Sequence, residues 1–243
     1  MTGFTDIHCH VLPKVDDGSR SMEQSLEMLR VMRDEGITQA ILTPHYHGGY
    51  MQTEIETVRT RFDELNEARL EYYDLSMIEL YLGSEVYYYP SVPEWLAEGR
   101  VSTMAGSDYV LLEFGFTMER RMIFEGVSTV VNAGYLPIIA HVERYEDIIS
   151  DMKCVDELIS RGAYLQINSE IFSSGFRMKS FAKKLLKSGR VHFLATDAHS
   201  TGRRAPRLAE AAGYITKHYG EDLCRKLLID NPAKVICNEY IPL

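Results

Sequence analysis

The chain has 243 residues and a formal net charge of −9, with 45% hydrophobic and 25% charged residues. This length suits one large α/β domain, and because no linker or low-complexity tract interrupts it, we expect residues 1–243 to form a single domain. The acidic balance argues against nucleic acid as a partner, and no segment predicts a signal peptide or a membrane insertion, so we expect a cytoplasmic protein.

The first predicted helices begin at polar residues with a matching residue three positions later. Ser21 is followed by Gln24, and Thr53 by Glu56, which is the spacing of a capping box. Gly36 is expected to end the first helix. Later predicted helices end at three further glycines: Gly134, Gly162 and Gly189.

Seven short apolar runs predict strands between these helices. They are FTDIHCH, QAILTPH, LYLGSEV, DYVLLEF, LPIIAHV, AYLQINS and VHFLATDAH, in chain order. Most of these runs are almost continuously apolar, as strands of a parallel sheet covered on both faces require. Strands that alternate with helices predict a parallel α/β fold, either a closed barrel or an open doubly wound sheet.

Metal-binding residue types recur at the carboxyl ends of these strands, where parallel α/β folds place their active sites. Residues two apart on a strand share a face, so we expect His8 and His10 to project together, and Asp197 and His199 likewise. In a closed barrel these two pairs become neighbours. The single residues at other strand ends are His45, Glu85, Glu113 and His141.

Each of these residues has an ordinary interpretation when taken alone. A histidine in a strand is often a satisfied core residue, and the Asp16–Asp17–Gly18 run is more typical of a turn than of a ligand. Burying so many ionisable groups at one edge without cations would be costly, however. The set exceeds the roughly four ligands of one zinc ion and indicates two or three divalent ions, with manganese, zinc or iron compatible with imidazole and carboxylate donors.

Arginines follow the same strand ends. Arg144 lies three residues after His141, and Arg203 and Arg204 follow His199. Guanidinium groups match phosphate oxygens, so Arg144 and one of the pair are candidate phosphate ligands. The run Tyr87–Tyr89 borders the same edge and is typical of packing, although it is also placed to stack on an aromatic substrate.

The motifs DIHCHVLPKVDDG, TPHYHGG, GSEVYY, LLEF, PIIAHVERY, LQINS, TDAH and DNPAKVI together resemble the polymerase-and-histidinol-phosphatase (PHP) family. The likeness is strongest to its bacterial protein-tyrosine phosphatase branch, which is linked to capsule and exopolysaccharide synthesis. The resemblance implies a distorted (β/α)7 TIM-like barrel with a trinuclear, usually manganese-loaded site. It also implies a phosphotyrosine-containing partner, such as the tail of a bacterial tyrosine kinase.

Carried over by motif, the resemblance implies nine metal ligands and two phosphate-binding arginines, Arg144 and Arg204. The ligands are His8, His10, Asp17, His45, Glu85, Glu113, His141, Asp197 and His199. In TPHYH, His45 is chosen over His47. His199 is also a candidate proton donor to the leaving group.

Cysteine-dependent phosphatase chemistry is excluded by spacing, because none of the four cysteines has an arginine six residues later. We therefore expect direct attack on phosphorus by a metal-activated water. Two alternatives stay open at this point: a phosphatase of a small alkyl phosphate such as histidinol phosphate, and a metal-loaded but non-catalytic regulatory subunit.

Overall fold

The structure, a computed structural model, describes residues 3–173 and 175–243. Its described strands are β1 Phe4–Cys9, β2 Ile37–Leu42, β3 His45–Tyr46, β4 Glu79–Leu82, β5 Glu85–Tyr87, β6 Tyr109–Glu113, β7 Leu136–Ile139, β8 Tyr164–Asn168 and β9 Phe193–Ala195. The described α-helices are α1 Met22–Asp34, α2 Ile55–Leu70, α3 Val92–Ala97, α4 Arg120–Asn132, α5 Glu146–Ile149, α6 Met152–Ser160, α7 Phe176–Lys187, α8 Ala209–Tyr219, α9 Glu221–Arg225 and α10 Asn231–Ile236. Helices separate the strands, as the sequence predicts, except between β2 and β3 and between β4 and β5.

The pairings between the described strands are all parallel. One sheet has the order β1-β2-β4, and the other has the order β3-β5-β6-β7-β8-β9. The last segment of the chain returns to the first strand: the N–H of His10 donates to the carbonyl of Ala198 at 2.8 Å, and the N–H of Asp197 donates to the carbonyl of His8 at 2.8 Å. The parallel sheet is therefore curled, and its first and last strands are neighbours.

Two of the predicted strands were wrong in extent, because each is divided into two strands in the structure. QAILTPH forms β2 and β3, separated at Pro44, and LYLGSEV forms β4 and β5, separated at Gly83. Proline has no N–H to donate to a ladder, which interrupts regular pairing there. Hydrogen bonds nevertheless cross both interruptions, from the N–H of Gly83 to Leu42 and from the N–H of Glu85 to Pro44.

The helix ends in the structure test the predicted helix caps. Ser21 accepts a hydrogen bond from the N–H of Gln24 at 3.2 Å, so the predicted start of α1 is confirmed. The predicted cap at Thr53 is wrong, because its hydroxyl donates instead to the carbonyl of Val15 at 2.6 Å and α2 begins without a side-chain cap. The predicted glycines follow the ends of α1, α4, α6 and α7 with positive φ values, which a residue without Cβ adopts at no steric cost.

Two apolar clusters stabilise the two faces of the curled sheet. On β6, Val110 and Leu112 face the cluster beneath the surrounding helices, whereas Tyr109 and Leu111 face the inner cluster. Val235 and Ile241 from the end of the chain close that inner cluster. Because side chains alternate along a strand, Glu113 follows Leu111 on the inner face, and the inner cluster therefore forms the floor beneath the polar strand ends.

Among residues 3–173 and 175–243, no helix combines the length and the apolar character needed to cross a membrane.

Candidate metal centre

Four donor atoms from the two ends of the chain and from β5 face one another at the centre of the strand ends. Nε2 of His8 and Nε2 of His10 are 3.2 Å apart. Oε2 of Glu85 lies 3.2 Å from the first and 3.3 Å from the second, and Oδ1 of Asp197 lies 3.5 Å from each. All four side chains are buried, so strand curvature has brought distant residues into one enclosed cluster.

A second group lies beside the first and includes His10, Asp17, His45 and His199. One donor atom from each lies within 4.8 Å of those of the others. The rings of His10 and His199 are 3.8 Å apart between centroids, and Nε2 of His199 is 3.4 Å from Oδ1 of Asp17. Asp17 is the exposed member, with 57% of its side chain accessible, and it approaches the buried histidines from the loop after β1.

A third group lies on the other side of Glu85. His45, Glu85 and Glu113 bring one donor atom each within 4.8 Å of the others. Nε2 of His141 extends this group, because it lies 3.0 Å from Oε1 of Glu85 and 3.5 Å from Oε1 of Glu113. The structure thus brings together all nine sequence-predicted ligand positions, although their role as ligands stays a prediction.

His45 and His47 have different surroundings. Nδ1 of His45 lies 2.9 Å from Oε2 of Glu85, inside the cluster. The ring of His47 instead packs on Tyr87, with 4.1 Å between centroids. The geometry therefore offers His45, the residue chosen from sequence, as the donor.

Two of the predicted ligands occupy left-handed backbone conformations. His141 has φ 32°, and Asp197 has φ 53°. Such conformations cost roughly 1 to 3 kcal/mol for residues with a Cβ and persist where the surrounding structure imposes them. Here they turn both side chains into the cluster immediately after their strands end.

The charges in the cluster depend on one another. Burial opposes ionisation of Glu85, but the neighbouring imidazoles of His8 and His45 outweigh it and hold the pKa of Glu85 well below its usual range. Burial likewise disfavours the charged form of His8, yet Glu85 and Asp197 raise its pKa above the ordinary value. A bound divalent cation would displace the protons on these imidazoles, because histidine binds a metal in its neutral form.

The pKa values of some outer residues of the cluster are shifted in the opposite direction. Burial, followed by the charge of Glu85, raises the pKa of Glu113 to about 7. Burial lowers the pKa values of His141 and His199, which favours neutral imidazoles with a free lone pair. Nε2 of His199 and Oε2 of Glu85 are buried, and although donor or acceptor atoms lie within 3.5 Å of both, none has the orientation of a hydrogen bond among the described residues, so the donor set fits a metal better than it fits a closed hydrogen-bond network.

Both candidate phosphate-binding arginines contact the cluster at the carboxylate of Asp197. The guanidinium of Arg144 lies 2.9 Å from Oδ2 of Asp197, and that of Arg204 lies 2.7 Å from Oδ1. Both side chains are partly accessible, whereas Arg203 is exposed on the surface. Of the Arg203–Arg204 pair, it is Arg204 that contacts the cluster.

Several supporting residues were missed by sequence reasoning. Asp16 contacts Nδ1 of His10 at 2.7 Å. Oε1 of Gln166 lies 3.1 Å from Nδ1 of His8 and accepts from the N–H of His141 at 2.8 Å, while Asn168 donates to Oδ2 of Asp197 at 2.9 Å. Gln166 and Asn168 lie two apart in a buried strand, and that spacing of polar residues was the available signal.

The cysteines do not take part in the cluster. Cys9 lies between His8 and His10 but points to the opposite face, where Sγ donates to the carbonyl of Ile41 at 3.6 Å. Cys154 and Cys224 are buried elsewhere, and Cys237 is exposed near the C-terminus.

Comparisons with known proteins agree with this geometry. Residues 4–237 match the family described as "Capsular polysaccharide synthesis, CpsB/CapC". The tyrosine-protein phosphatase CpsB of Streptococcus pneumoniae is 34% identical over 243 residues, which cover 97% of this chain and 99% of that protein. A solved structure from work on YwqE of Bacillus subtilis and CpsB of Streptococcus pneumoniae, described as metal-dependent tyrosine phosphatases, has a TM-score of 0.89 at 32% identity and covers 98% of this chain and 96% of that chain.

A more distant structure shares the fold alone. The phosphotriesterase homology protein from Escherichia coli has a TM-score of 0.60 at 14% identity, covering 96% of this chain and 98% of that chain.

Proposed function

The chain belongs to the CpsB/CapC family of capsular polysaccharide synthesis, and from this membership and the site geometry we propose that it is a metal-dependent protein-tyrosine phosphatase. The observation that carries the proposal is the approach of Nε2 of His8 and Nε2 of His10 to 3.2 Å of each other, with one oxygen of Glu85 and one of Asp197 each within 3.5 Å of both nitrogens. The fold proposal is a distorted (β/α)7 barrel in one domain, counting β2 with β3 and β4 with β5 as single interrupted strands.

The three donor groups suit two or three divalent ions. His8, His10, Glu85 and Asp197 would hold the central position, with one outer position formed by His10, Asp17, His45 and His199 and the other by His45, Glu85, Glu113 and His141. When bound, such ions supply Lewis acidity to phosphoryl oxygens and lower the pKa of water. We propose manganese, because mixed imidazole and carboxylate donors without a thiolate suit it, with zinc or iron as further possibilities.

The two arginines orient the phosphoryl group in this proposal. Arg144 and Arg204 both face Asp197 and are partly accessible, so a bound phosphate monoester meets two guanidinium groups at the rim. Guanidinium groups hold phosphate oxygens as negative charge redistributes during transfer, which lowers the barrier. Arg144 has a further constraint: its guanidinium lies over the ring of Phe116, 5.9 Å from the centroid.

The leaving group needs little assistance. A phenol has a pKa of about 10, well below that of an alkyl alcohol, so a phenolate leaving group departs without full protonation. His199 stays the candidate proton donor of this proposal, because its buried ring lies 3.4 Å from Asp17, the exposed member of the cluster. The proposed physiological substrate is the phosphotyrosine of a tyrosine kinase that regulates capsule or exopolysaccharide synthesis.

The test compares turnover of p-nitrophenyl phosphate and of a phosphotyrosine peptide, with and without manganese. Wild type is expected to be active on both, and His10→Ala and Arg144→Ala to lose most of that activity; a cluster variant should also bind less metal by elemental analysis. Lys217→Ala, an exposed residue on α8, is the matched control. Undiminished turnover in both variants would contradict the scheme, metal without turnover would indicate a regulatory subunit, and a preference for histidinol phosphate would indicate an alkyl phosphatase.

A further inference from the structure

A groove leads away from the metal cluster along helix α7. Its first part has a volume of about 570 Å³ and is lined by Phe116, Arg144, Ile149, Phe176 and Met178 among others. A second part of about 630 Å³ shares Ile149, Phe176 and Arg177 with the first and continues to Lys184. We call the two parts together the α7 groove. Because Arg144 both lines it and contacts Asp197, the groove opens directly on the site.

Two phenylalanine rings that line the groove are exposed to solvent. Phe176, at the first position of α7, is 89% exposed, and Phe116 is 45% exposed. The ring of Phe116 also meets His141 edge-on at 5.8 Å between centroids. Exposed apolar surface next to polar groups marks surfaces that bind other molecules.

Helix α7 also departs from the charge of the chain. The protein has a net charge of −9, yet α7 has five basic residues and no acidic one. Arg177, Ser180 and Lys184 line the groove and lie three and four residues apart, so they form one stripe along the helix. Within the described residues, none of the five basic groups has a carboxylate within ion-pair distance.

The facing wall carries three acidic residues, Glu143, Glu146 and Asp151, of which Glu143 is buried. An oxygen of Asp151 accepts from the N–H of Lys153 at the start of α6, and among the described residues no carboxylate of this wall lies within ion-pair distance of an α7 cation. An incoming acidic group would therefore find cations at the α7 side without displacing an existing ion pair. Charges of this kind at a binding rim favour association with an oppositely charged partner.

We propose that the α7 groove binds the polypeptide that flanks the phosphotyrosine, and that it selects acidic residues there. The inference rests on the proposed function, because the phosphotyrosine occupies the site while its neighbours extend past Arg144 into the groove. Phe116 and Phe176 contact the apolar part of the bound segment, and Arg177 and Lys184 pair with its carboxylates.

The experiment uses two phosphotyrosine peptides of equal length, one flanked by glutamates and the other by lysines, with p-nitrophenyl phosphate as a substrate too small to reach the groove. The quantity measured is kcat/KM for each peptide divided by that for p-nitrophenyl phosphate, with manganese present. Wild type is expected to prefer the acidic peptide, and added salt should weaken the preference because it screens exposed charges. In R177E/K184E the acidic preference is expected to fall about fivefold to tenfold, mainly through KM.

Two further variants separate the contributions. Phe176→Ala is expected to raise KM for both peptides, because it removes apolar contact without changing charge. Lys217→Glu on α8 introduces the same charge reversal as one of the groove substitutions but at an exposed position that does not line the groove, and it should leave the preference as in wild type.

The outcomes divide clearly. Equal kcat/KM values for the two peptides in wild type, or an acidic preference that survives R177E/K184E, would overturn the groove proposal. If wild type turned over none of the three substrates, that result would instead overturn the proposed function. An acidic preference that R177E/K184E abolishes and K217E retains would support the groove as the peptide-binding surface.

Discussion

The carboxylate of Asp16 lies 2.7 Å from Nδ1 of His10, and the same oxygen accepts a hydrogen bond from the N–H of His45 at 2.9 Å. Both side chains of the Asp16–His10 pair are fully buried. A carboxylate behind a histidine fixes which ring nitrogen is free and how the ring is oriented. Asp16 therefore positions two of the proposed metal donors at once.

Asp16→Asn should weaken metal binding while the chain stays folded. The amide keeps the size of the side chain but removes the negative charge that orients His10, so we expect a loss of about 10-fold to 100-fold in manganese affinity. This affinity is measured by titrating manganese and monitoring activity on p-nitrophenyl phosphate. Asp63→Asn on the exposed face of α2 is the control, and equal manganese affinities of the two variants would show that Asp16 does not act through His10.

Gly18→Ala should disrupt the site by steric overlap. A Cβ at this position would lie 2.2 Å from the carbonyl oxygen of His10 and 2.5 Å from its Cβ, so the β1 end must shift. We expect strongly reduced activity and metal content. Gly213→Ala in α8 provides the contrast, because no atom lies within 4 Å of its added Cβ. That change should stabilise the protein by about 0.5 to 1 kcal/mol in denaturant unfolding.

Metal removal should lower thermal stability. Ions that bind the folded chain but not the unfolded chain stabilise it by about 2.7 kcal/mol at 100 times the dissociation constant. Wild type is therefore expected to unfold at a lower temperature after chelation and to recover on adding manganese. Glu85→Gln should abolish most of the manganese-dependent rise in Tm, since Glu85 contacts His8, His10, His45 and His141, whereas exposed Glu67→Gln should keep it.

His192 should contribute a pH dependence of stability that is separate from the site. Burial, with a smaller effect of Lys226, lowers its pKa to about 4, and its Nδ1 accepts from the N–H of Leu165 at 3.0 Å. Above the unfolded value of about 6.5 both states are neutral and the group contributes nothing. As the pH falls from about 6.5 towards 4 the unfolded chain binds the proton first, so stability decreases by about 1.4 kcal/mol per pH unit.

His192→Asn should reduce the pH dependence of stability. The Asn Oδ1 replaces the Nδ1 acceptor without titrating, so the difference in unfolding free energy between pH 7 and pH 5 should be smaller than in wild type. Denaturant unfolding at both pH values measures it, with exposed His218→Asn as the control. An unchanged difference in His192→Asn would show that the pKa of His192 is the same in the folded and the unfolded chain.

The local parts of this protein followed from sequence patterns that are themselves local. Alternation along a strand predicted that His8 and His10 share a face, and the structure places their Nε2 atoms 3.2 Å apart. The Ser21 cap and the glycines after the helices depend only on residues within one turn, so the pattern predicted them correctly. The Asp16–Asp17–Gly18 run, whose ordinary interpretation is a turn, has the local hydrogen bond of one: the N–H of Gly18 donates to Oδ1 of Asp16 at 2.9 Å.

The tertiary structure decided what those patterns leave open. Thr53 has the spacing of a cap, but Val15 lies close enough to accept its hydroxyl proton, and this distant contact replaces the local one. His141 and Asp197 have left-handed backbones at the points where their side chains turn into the cluster, and no local pattern predicts this. Sequence thus determined which residues offer donor atoms and at which strand ends. Their distances, the orienting role of Asp16 and the groove along α7 arise from sheet curvature, which brings residues far apart in the chain into contact.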